Sequence, residues 1–373
     1  MPSPIKVLLL FGTRPEAIKM APLVRALAAP PARFRVETVV TGQHREMLDQ
    51  VLELFAIRPQ EDLAVMRPGQ DLAGLTARVV EGVDALLARR RPDLVLVQGD
   101  TTTTFAAALA AFYRRIPVGH VEAGLRTGDL AHPFPEEANR LMTTRLAALH
   151  FAPTEWARDN LLREGVDPDT VHVTGNTVVD ALNAILERPH RLPEPLRAAF
   201  AGEGPRLLLT CHRRENHGAG VAAVCQAVET LLARHPRARV VAPVHLNPAV
   251  AEVIRERLGG HPRAHLVPPL DYLDFVHAMR ASDLILSDSG GVQEEAPALG
   301  RPVLVLRETT ERPEAVAAGT ARLVGCDPER IVAEAHRLLT DPAAYQAMAR
   351  AANPFGDGRA AVRIRTHIER FFA

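Results

Sequence analysis

Six short stretches set acids, bases or glycines directly after apolar runs, where a strand hands over to a loop. Residues 287–296 read SDSGGVQEEA: a Leu-Ile-Leu run ends in Ser and Asp, two glycines follow, and two carboxylates stand one turn on. Glycines there let the backbone approach a ligand, and free N–H groups at a helix start favour an anion. FGTRPEAIK (11–19) offers a Gly12–Thr13 turn, Pro15 in the first helical turn, and Arg14 and Lys19 as added positive charge. The same residues would also serve a plain strand–helix turn with solvated bases. The stretch is neither a phosphate-binding G-x-x-x-x-G-K-[ST] loop nor a G-x-G-x-x-G dinucleotide fingerprint. VQGDTTTTFAAA (97–108) places Asp100 and four threonines after a strand. One threonine would be enough to cap a helix, so Asp100 either shares the capping or faces a ligand.

GHVEAGLRTGDLAHPFPEEANR (119–140) is the most unusual segment. Glu122 follows a buried-type strand directly. The loop after it is long for an α/β unit and leads to Glu136 and Glu137, which also suit a helix start. TCHRREN (210–216) repeats the strand-then-base pattern and offers His212 as an acid or base near neutrality. RETTERPEA (307–315) places Arg312 after a further strand, within reach of a phosphate or exposed on a loop. Carboxylates beside anion-binding turns suit sugar-nucleotide chemistry. On residue pattern alone the reading stops at a glycosyltransferase or another sugar-nucleotide enzyme.

The elements that must position these residues alternate along the chain. Strands are predicted at 7–11, 35–40, 94–98, 116–121, 149–153 and 171–175, with helices between them, for example at 15–28, 71–90 and 102–114. The Pro- and Gly-rich segment 187–205 breaks the pattern and reads as a linker region. The alternation then restarts, with strands at 206–211, 239–244, 264–268, 283–287, 302–306 and 321–325. Near-continuous apolar strands between helices indicate parallel sheets covered on both faces. The expected fold is therefore α/β, with two Rossmann-like doubly wound domains facing a cleft. The first spans 1–186 and carries the acids; the second spans 206–355. A last amphipathic helix, 356–373, is expected to pack back on the first domain.

Composition narrows the classes. Among 373 residues, Lys+Arg and Asp+Glu both number 44, so nucleic acid and anionic membranes are not expected partners. Cys211, Cys225 and Cys326 are odd in number and lack C-x-x-C spacing, which argues against a disulfide framework or structural zinc and fits a reducing cytoplasm. The first apolar run, 5–11, is too short to span a membrane. Lys6 and Lys19 are the only lysines among the basic residues. Because Lys is a compact point charge that Arg does not replace, Lys19 stands out.

The segments FGTRPEAIKMAPL, GQHREMLDQVL, GDTTTT, PVGHVEAGLRTGD, PEEANR, GNTVVDAL, PVHLNP, DSGGVQEEAP and TTERPEA resemble, in order and over nearly the whole chain, the signature segments of the bacterial non-hydrolysing UDP-N-acetylglucosamine 2-epimerases. The resemblance implies a GT-B-like fold, a homodimer, and no cofactor or metal. It implies reversible interconversion of UDP-N-acetylglucosamine and UDP-N-acetylmannosamine, supplying N-acetylmannosamine for cell-surface polysaccharide. Its UDP-sugar ligands would be Arg14, Lys19, Asp100, Glu122, His212, Phe275, Ser289, Gly290, Gly291, Glu295 and Arg312. Asp100, Glu122, Glu136 and His212 would be the catalytic candidates, with Glu294 in a supporting role. A regulatory UDP-N-acetylglucosamine site would draw on Gln43, Gln70, Arg213 and His245. Two positions depart from the family pattern: Leu270 stands where a polar residue is common, and Cys211 where Gly is common.

The implied chemistry accounts for the residue types. C2 of the sugar is not beside a carbonyl, so the family's route is anti elimination of UDP to 2-acetamidoglucal and syn re-addition on the other face. Bases and a helix start would stabilise the leaving diphosphate, and acids on both faces would move the proton. The alternatives are a GT-B glycosyltransferase using UDP-N-acetylglucosamine, a 2-epimerase of a modified UDP-sugar, and a non-catalytic sugar-nucleotide sensor. A sensor has no need for the acid cluster.

Overall fold

A computed structural model describes residues 3–42, 45–67 and 69–373. The chain divides into two compact units, Met1–Ala181 with Phe355–Ala373, and Leu182–Pro354. The first holds seven strands: β1 (Ile5–Phe11), β2 (Phe34–Val40), β3 (Glu61–Asp62), β4 (Leu94–Gln98), β5 (Val118–Val121), β6 (Leu149–Ala152) and β7 (Val171–Val173). They pair in parallel in the order β3-β2-β1-β4-β5-β6-β7. The second unit holds β8 (Arg206–Thr210), β9 (Arg239–Pro243), β10 (Ala264–Val267), β11 (Leu284–Ser287), β12 (Val303–Val305) and β13 (Ala321–Leu323). These are also parallel, in the order β10-β9-β8-β11-β12-β13. Each unit is thus a doubly wound α/β domain, as the alternation of apolar runs and helices predicts.

The apolar runs explain why the strands are central. Leu8, Leu9, Leu10 and Phe11 are each 1% exposed or less, and burying such a side chain is worth about 2 kcal/mol. Leu8 and Leu10 join Val95, Val97 and a stripe of alanines from the helix Thr102–Tyr113 in one core cluster. Small alanines let that helix lie close on the sheet. In the second unit, Leu207, Leu209, Leu284 and Leu286 fill the equivalent place.

Three elements differ from the sequence reading. Within 187–205, residues Glu194–Phe200 form a helix that buries Leu196, Ala199 and Phe200. At seven residues, with Pro195 in its first turn, it is too short to show a period. β3 has only two residues, so it shows no alternation. The helix Tyr272–Ala281 falls in a stretch given no helix by the pattern; Asp271 caps it by accepting from the Asp274 N–H at 2.7 Å.

The last helix, Ala360–Phe371, belongs to the first unit and turns Ile364 and Ile368 inward. Its N-terminal N–H groups, on Ala360 and Ala361, donate to the Asp180 carboxylate at 3.1 and 2.9 Å. Arg365 reaches the carbonyls of Ala26 and Ala29 at 2.8 and 2.9 Å, tying it to the end of the helix Arg14–Ala28. Among the described residues no helix is long and apolar enough to cross a membrane.

Strand order reverses once in each sheet, between β1 and β4 and between β8 and β11. In open α/β sheets such reversals leave a crevice at the carboxyl ends where ligands bind. Gly12 to Arg14 and Gly99 to Asp100 flank the first crevice. Cys211 to Arg213 and Asp288 to Gly291 flank the second.

Candidate active site

In the first unit Thr13 caps the helix Arg14–Ala28, and Glu16 completes a capping box. Arg14 is half-buried at the first helical position and makes no hydrogen bond or ion pair among the described residues. Lys19, predicted to add charge beside the anion-binding turn, instead pairs with Glu122. Both are buried, at 7% and 8% exposure.

Glu122 follows β5 with φ +64, a left-handed conformation that favours glycine. This turns its carboxylate back across the strand ends. There it accepts from Lys19, from Gln98 at the end of β4, and from Asn176 Nδ2 at 3.0 Å. Gly99 lies beside it; a Cβ there would meet Glu122 Oε2 at 3.7 Å. A cation and two amides thus fix one buried carboxylate.

Asp100 is held differently. Its side chain pairs with Arg140, and its carbonyl accepts from Asn139 Nδ2 at 3.0 Å. Arg140 also reaches Glu137 Oε2 at 3.0 Å. Glu137 in turn accepts the N–H groups of Thr127 and Gly128 at 3.0–3.1 Å, pinning the long loop. The helix Glu136–Leu146 therefore docks its first two turns on Asp100. Glu136 precedes Arg140 by four residues and so shares its face. Glu136 is half-buried and has no hydrogen-bonding or ionic partner among the described residues. Three acids thus stand in three settings: one beside Lys19, one beside Arg140, one uncompensated.

Three of the four threonines now have hydrogen-bond partners. Thr101 caps the helix Thr102–Tyr113 through the Thr104 N–H and donates to Glu16 Oε1 at 2.9 Å. Thr104 donates to the Gln98 carbonyl at 2.6 Å, and Thr103 bonds Thr41, beyond β2, at 3.0 Å. Thr102 is buried.

In the second unit the buried Asp288, at the end of β11, accepts the N–H groups of His212 and Arg213, both at 2.9 Å. It also accepts from Asn216 Nδ2 at 3.0 Å. His212 Nδ1 lies 3.2 Å from Asp288 Oδ1, and its ring stacks near that of His245 with centroids 5.6 Å apart. Ser289 is the N-cap of the helix Gly290–Glu295 and makes no side-chain cap bond. A Cβ on Gly290 would sit 2.6 Å from Arg312 Nη1, so glycine is needed for the guanidinium to lie over the helix start.

Arg312 is buried between two acids, with Nε donating to Glu294 Oε1 at 2.5 Å and Nη1 lying 2.7 Å from Glu311 Oε1. Burial pushes the Glu311 carboxyl up, but Arg312 and Arg307 outweigh it and hold it well below the usual range. Glu295 accepts from the Tyr272 hydroxyl at 2.7 Å. The two adjacent acids therefore have different tasks. Glu294 orients Arg312, whereas Glu295 faces Tyr272, with Oε2 placed 3.7 Å from a Cβ built on Gly291. Phe275 is half-buried on the helix Tyr272–Ala281.

Of the regulatory candidates, Gln43 lies outside the described residues. Gln70 accepts from Arg67 N at 3.2 Å and from Arg78. Arg213 lies 3.8 Å from Glu311, and His245 is exposed. Leu270 is half-buried and Cys211 buried. All three cysteines are free, and burial raises the thiols of Cys225 and Cys326 to about 11. No cluster of three or more metal-ligating side chains occurs among the described residues.

Sequence reasoning missed Gln98, Arg140, Asn176 and Asp288. Gln98 ends an apolar strand, and Arg140 sits one turn beyond Glu136. Asn176 and Asp288 lie in quoted segments but had no partner to give them a role.

A sequence model of the family described as UDP-N-acetylglucosamine 2-epimerase matches residues 25–369. The chain is 56% identical to a UDP-N-acetylglucosamine 2-epimerase of Salmonella typhimurium, over 96% of this chain and 97% of that protein. It resembles the crystal structure of a Neisseria meningitidis UDP-GlcNAc 2-epimerase bound to UDP-GlcNAc, with TM-score 0.91, 47% identity, and coverage of 98% of this chain and 100% of that one. A Methanocaldococcus jannaschii UDP-GlcNAc 2-epimerase, in complex with UDP-GlcNAc and UDP, gives TM-score 0.81 and 32% identity over 98% of this chain and 100% of that one.

Proposed function

The chain belongs to the UDP-N-acetylglucosamine 2-epimerase family, and from that premise we propose that it interconverts UDP-N-acetylglucosamine and UDP-N-acetylmannosamine without hydrolysis. The observation that carries the reading is the set of three carboxylates, Asp100, Glu122 and Glu136, at adjoining strand and helix ends of one unit, each in a different electrostatic setting. A nucleotide-sugar sensor needs one acid for a ribose, not three.

In the proposed reaction the second unit holds the nucleotide. N–H groups at Ser289–Gly291 and the Arg312 guanidinium meet the diphosphate, and Glu295 accepts from ribose hydroxyls. The C1–O bond breaks and its electron pair departs with UDP. A carboxylate of the first unit accepts the C2 proton, and a C1–C2 double bond forms, giving 2-acetamidoglucal. Re-addition of UDP with protonation on the opposite face gives the manno epimer. Developing charge on the diphosphate is where fixed cations and N–H dipoles contribute most. Acids of contrasting setting suit proton transfer at two faces of one carbon. His212 is oriented by Asp288 in the second unit, and Lys19 lies beside Glu122 in the first. The active protein would be a homodimer in the cytoplasm, its product feeding cell-surface polysaccharide.

Positional isotope exchange tests the elimination. With 18O in the bridge between C1 and the β-phosphorus, reversible cleavage lets the label spread to non-bridging positions, read by 31P NMR. Spread of label without net hydrolysis supports the mechanism. Epimerisation with the label fixed in the bridge rules elimination out.

A further inference from the structure

Glu16 is a buried acid that the proposed mechanism does not use. It is 2% exposed and has no cationic partner. Five donor groups lie within hydrogen-bonding distance of it instead. Oε2 accepts the N–H groups of Gly12 and Thr13 at 3.2 and 2.8 Å and the Thr13 hydroxyl at 2.7 Å. Oε1 accepts the Thr101 hydroxyl at 2.9 Å, with the Thr104 hydroxyl farther off at 3.3 Å. A carboxylate offers about four lone-pair sites, so this set saturates it. One oxygen serves the turn after β1, which carries Arg14. The other serves the turn after β4, which carries Asp100. Glu16 therefore bridges the crevice where strand order reverses.

Burial normally raises such a group, and the Glu16 carboxyl is raised despite these bonds. A buried acid without a cation is costly to keep, which singles out the bridge from ordinary capping. The second unit repeats the device. There Asp288, at the end of β11, accepts N–H groups from the turn after β8.

We propose that Glu16, acting through Thr101, is a positioning residue for Asp100. The inference rests on the epimerase reading. The Thr101 hydroxyl holds the peptide that follows Asp100, while Arg140 and Asn139 hold its carboxylate and carbonyl from the other side. Removing the hydroxyl frees one side of that grip. Displacements of about 1 Å in a reacting group can cost on the order of a hundredfold in rate.

The test uses Thr101→Val, which keeps the shape and loses the donor, and Thr101→Ser, which keeps the donor. Glu16→Gln is the direct variant, and thermal melting of all three checks folding. For UDP-N-acetylglucosamine epimerisation, Thr101→Val is expected to lower kcat at least tenfold with KM within about twofold, and Thr101→Ser to stay within about threefold of wild type. In an Asp100→Asn background Thr101→Val should add no further loss, since its effect runs through Asp100. Equal kcat in Thr101→Val and wild type overturns the proposal. So does an equal further loss in the Asp100→Asn background. A wild-type protein that does not epimerise overturns the reaction itself, a separate outcome.

Discussion

Replacing Lys19 by Met removes a cation from beside a buried acid while keeping most of the side chain's volume. Glu122, 8% exposed, would retain the amide donors of Gln98 and Asn176. Deleting one partner of a buried ion pair typically costs about 3–5 kcal/mol, because the other charge stays buried. The two remaining amides, each worth about 1 kcal/mol, hold the expected loss near the low end, about 3 kcal/mol. The first unit has about 200 residues. For that size 1 kcal/mol moves the melting temperature by about 2–4 °C, so the variant should melt about 6–12 °C below wild type. Adding Glu122→Gln removes the stranded charge and should recover at least half of the loss. Scanning calorimetry reads both. A Lys19→Met protein that melts with wild type, or a double variant that melts at the sum of the two single losses, refutes the claim that this pair is an interdependent buried unit.

Three further outcomes follow from other contacts. Gly290→Ala puts a Cβ 2.6 Å from a guanidinium fixed by Glu294 and Glu311; UDP affinity by titration calorimetry should fall at least tenfold, with the melting temperature changed by only a few degrees. Gly124→Ala places a Cβ 2.2 Å from the Ala157 carbonyl oxygen, at φ +94, and should destabilise the first unit by more than about 3 kcal/mol in urea titrations. His120 is fully buried, and burial lowers its pKa to about 3. The unfolded chain therefore takes up that proton first, so its contribution is fully present above about pH 6.5 and is lost progressively toward pH 3. By pH 5 the loss from this group alone is about 2 kcal/mol, and a His120→Gln protein should show a correspondingly flatter stability profile between pH 7 and 5.

Much of the architecture was legible because the strands are continuous apolar runs, and that signal survives without an alignment. That Asp100, Glu122, His212 and Ser289–Gly291 follow strand carboxyl ends was legible from the apolar runs before them. Pairing was not legible. Lys19 and Glu122 are 103 positions apart, and Arg140 and Asp100 are 40 apart. No local period announces either contact, so Lys19 read as a free anion-binding charge. The threonine run was visible as an excess without a purpose. Only the strand order, which puts β4 beside β1, shows what Thr101 reaches. The resemblance set Glu295 apart from Glu294 as a ligand, and the fold gives the two different neighbours, Tyr272 and Arg312.

The most direct test of the central claim is NMR of UDP-N-acetylglucosamine incubated with the protein in D2O without any acceptor. Elimination and re-addition at C2 predict deuterium at C2 in both epimers, with UDP-N-acetylmannosamine as the new species. Unchanged substrate, or free N-acetylmannosamine as the main product, would contradict it.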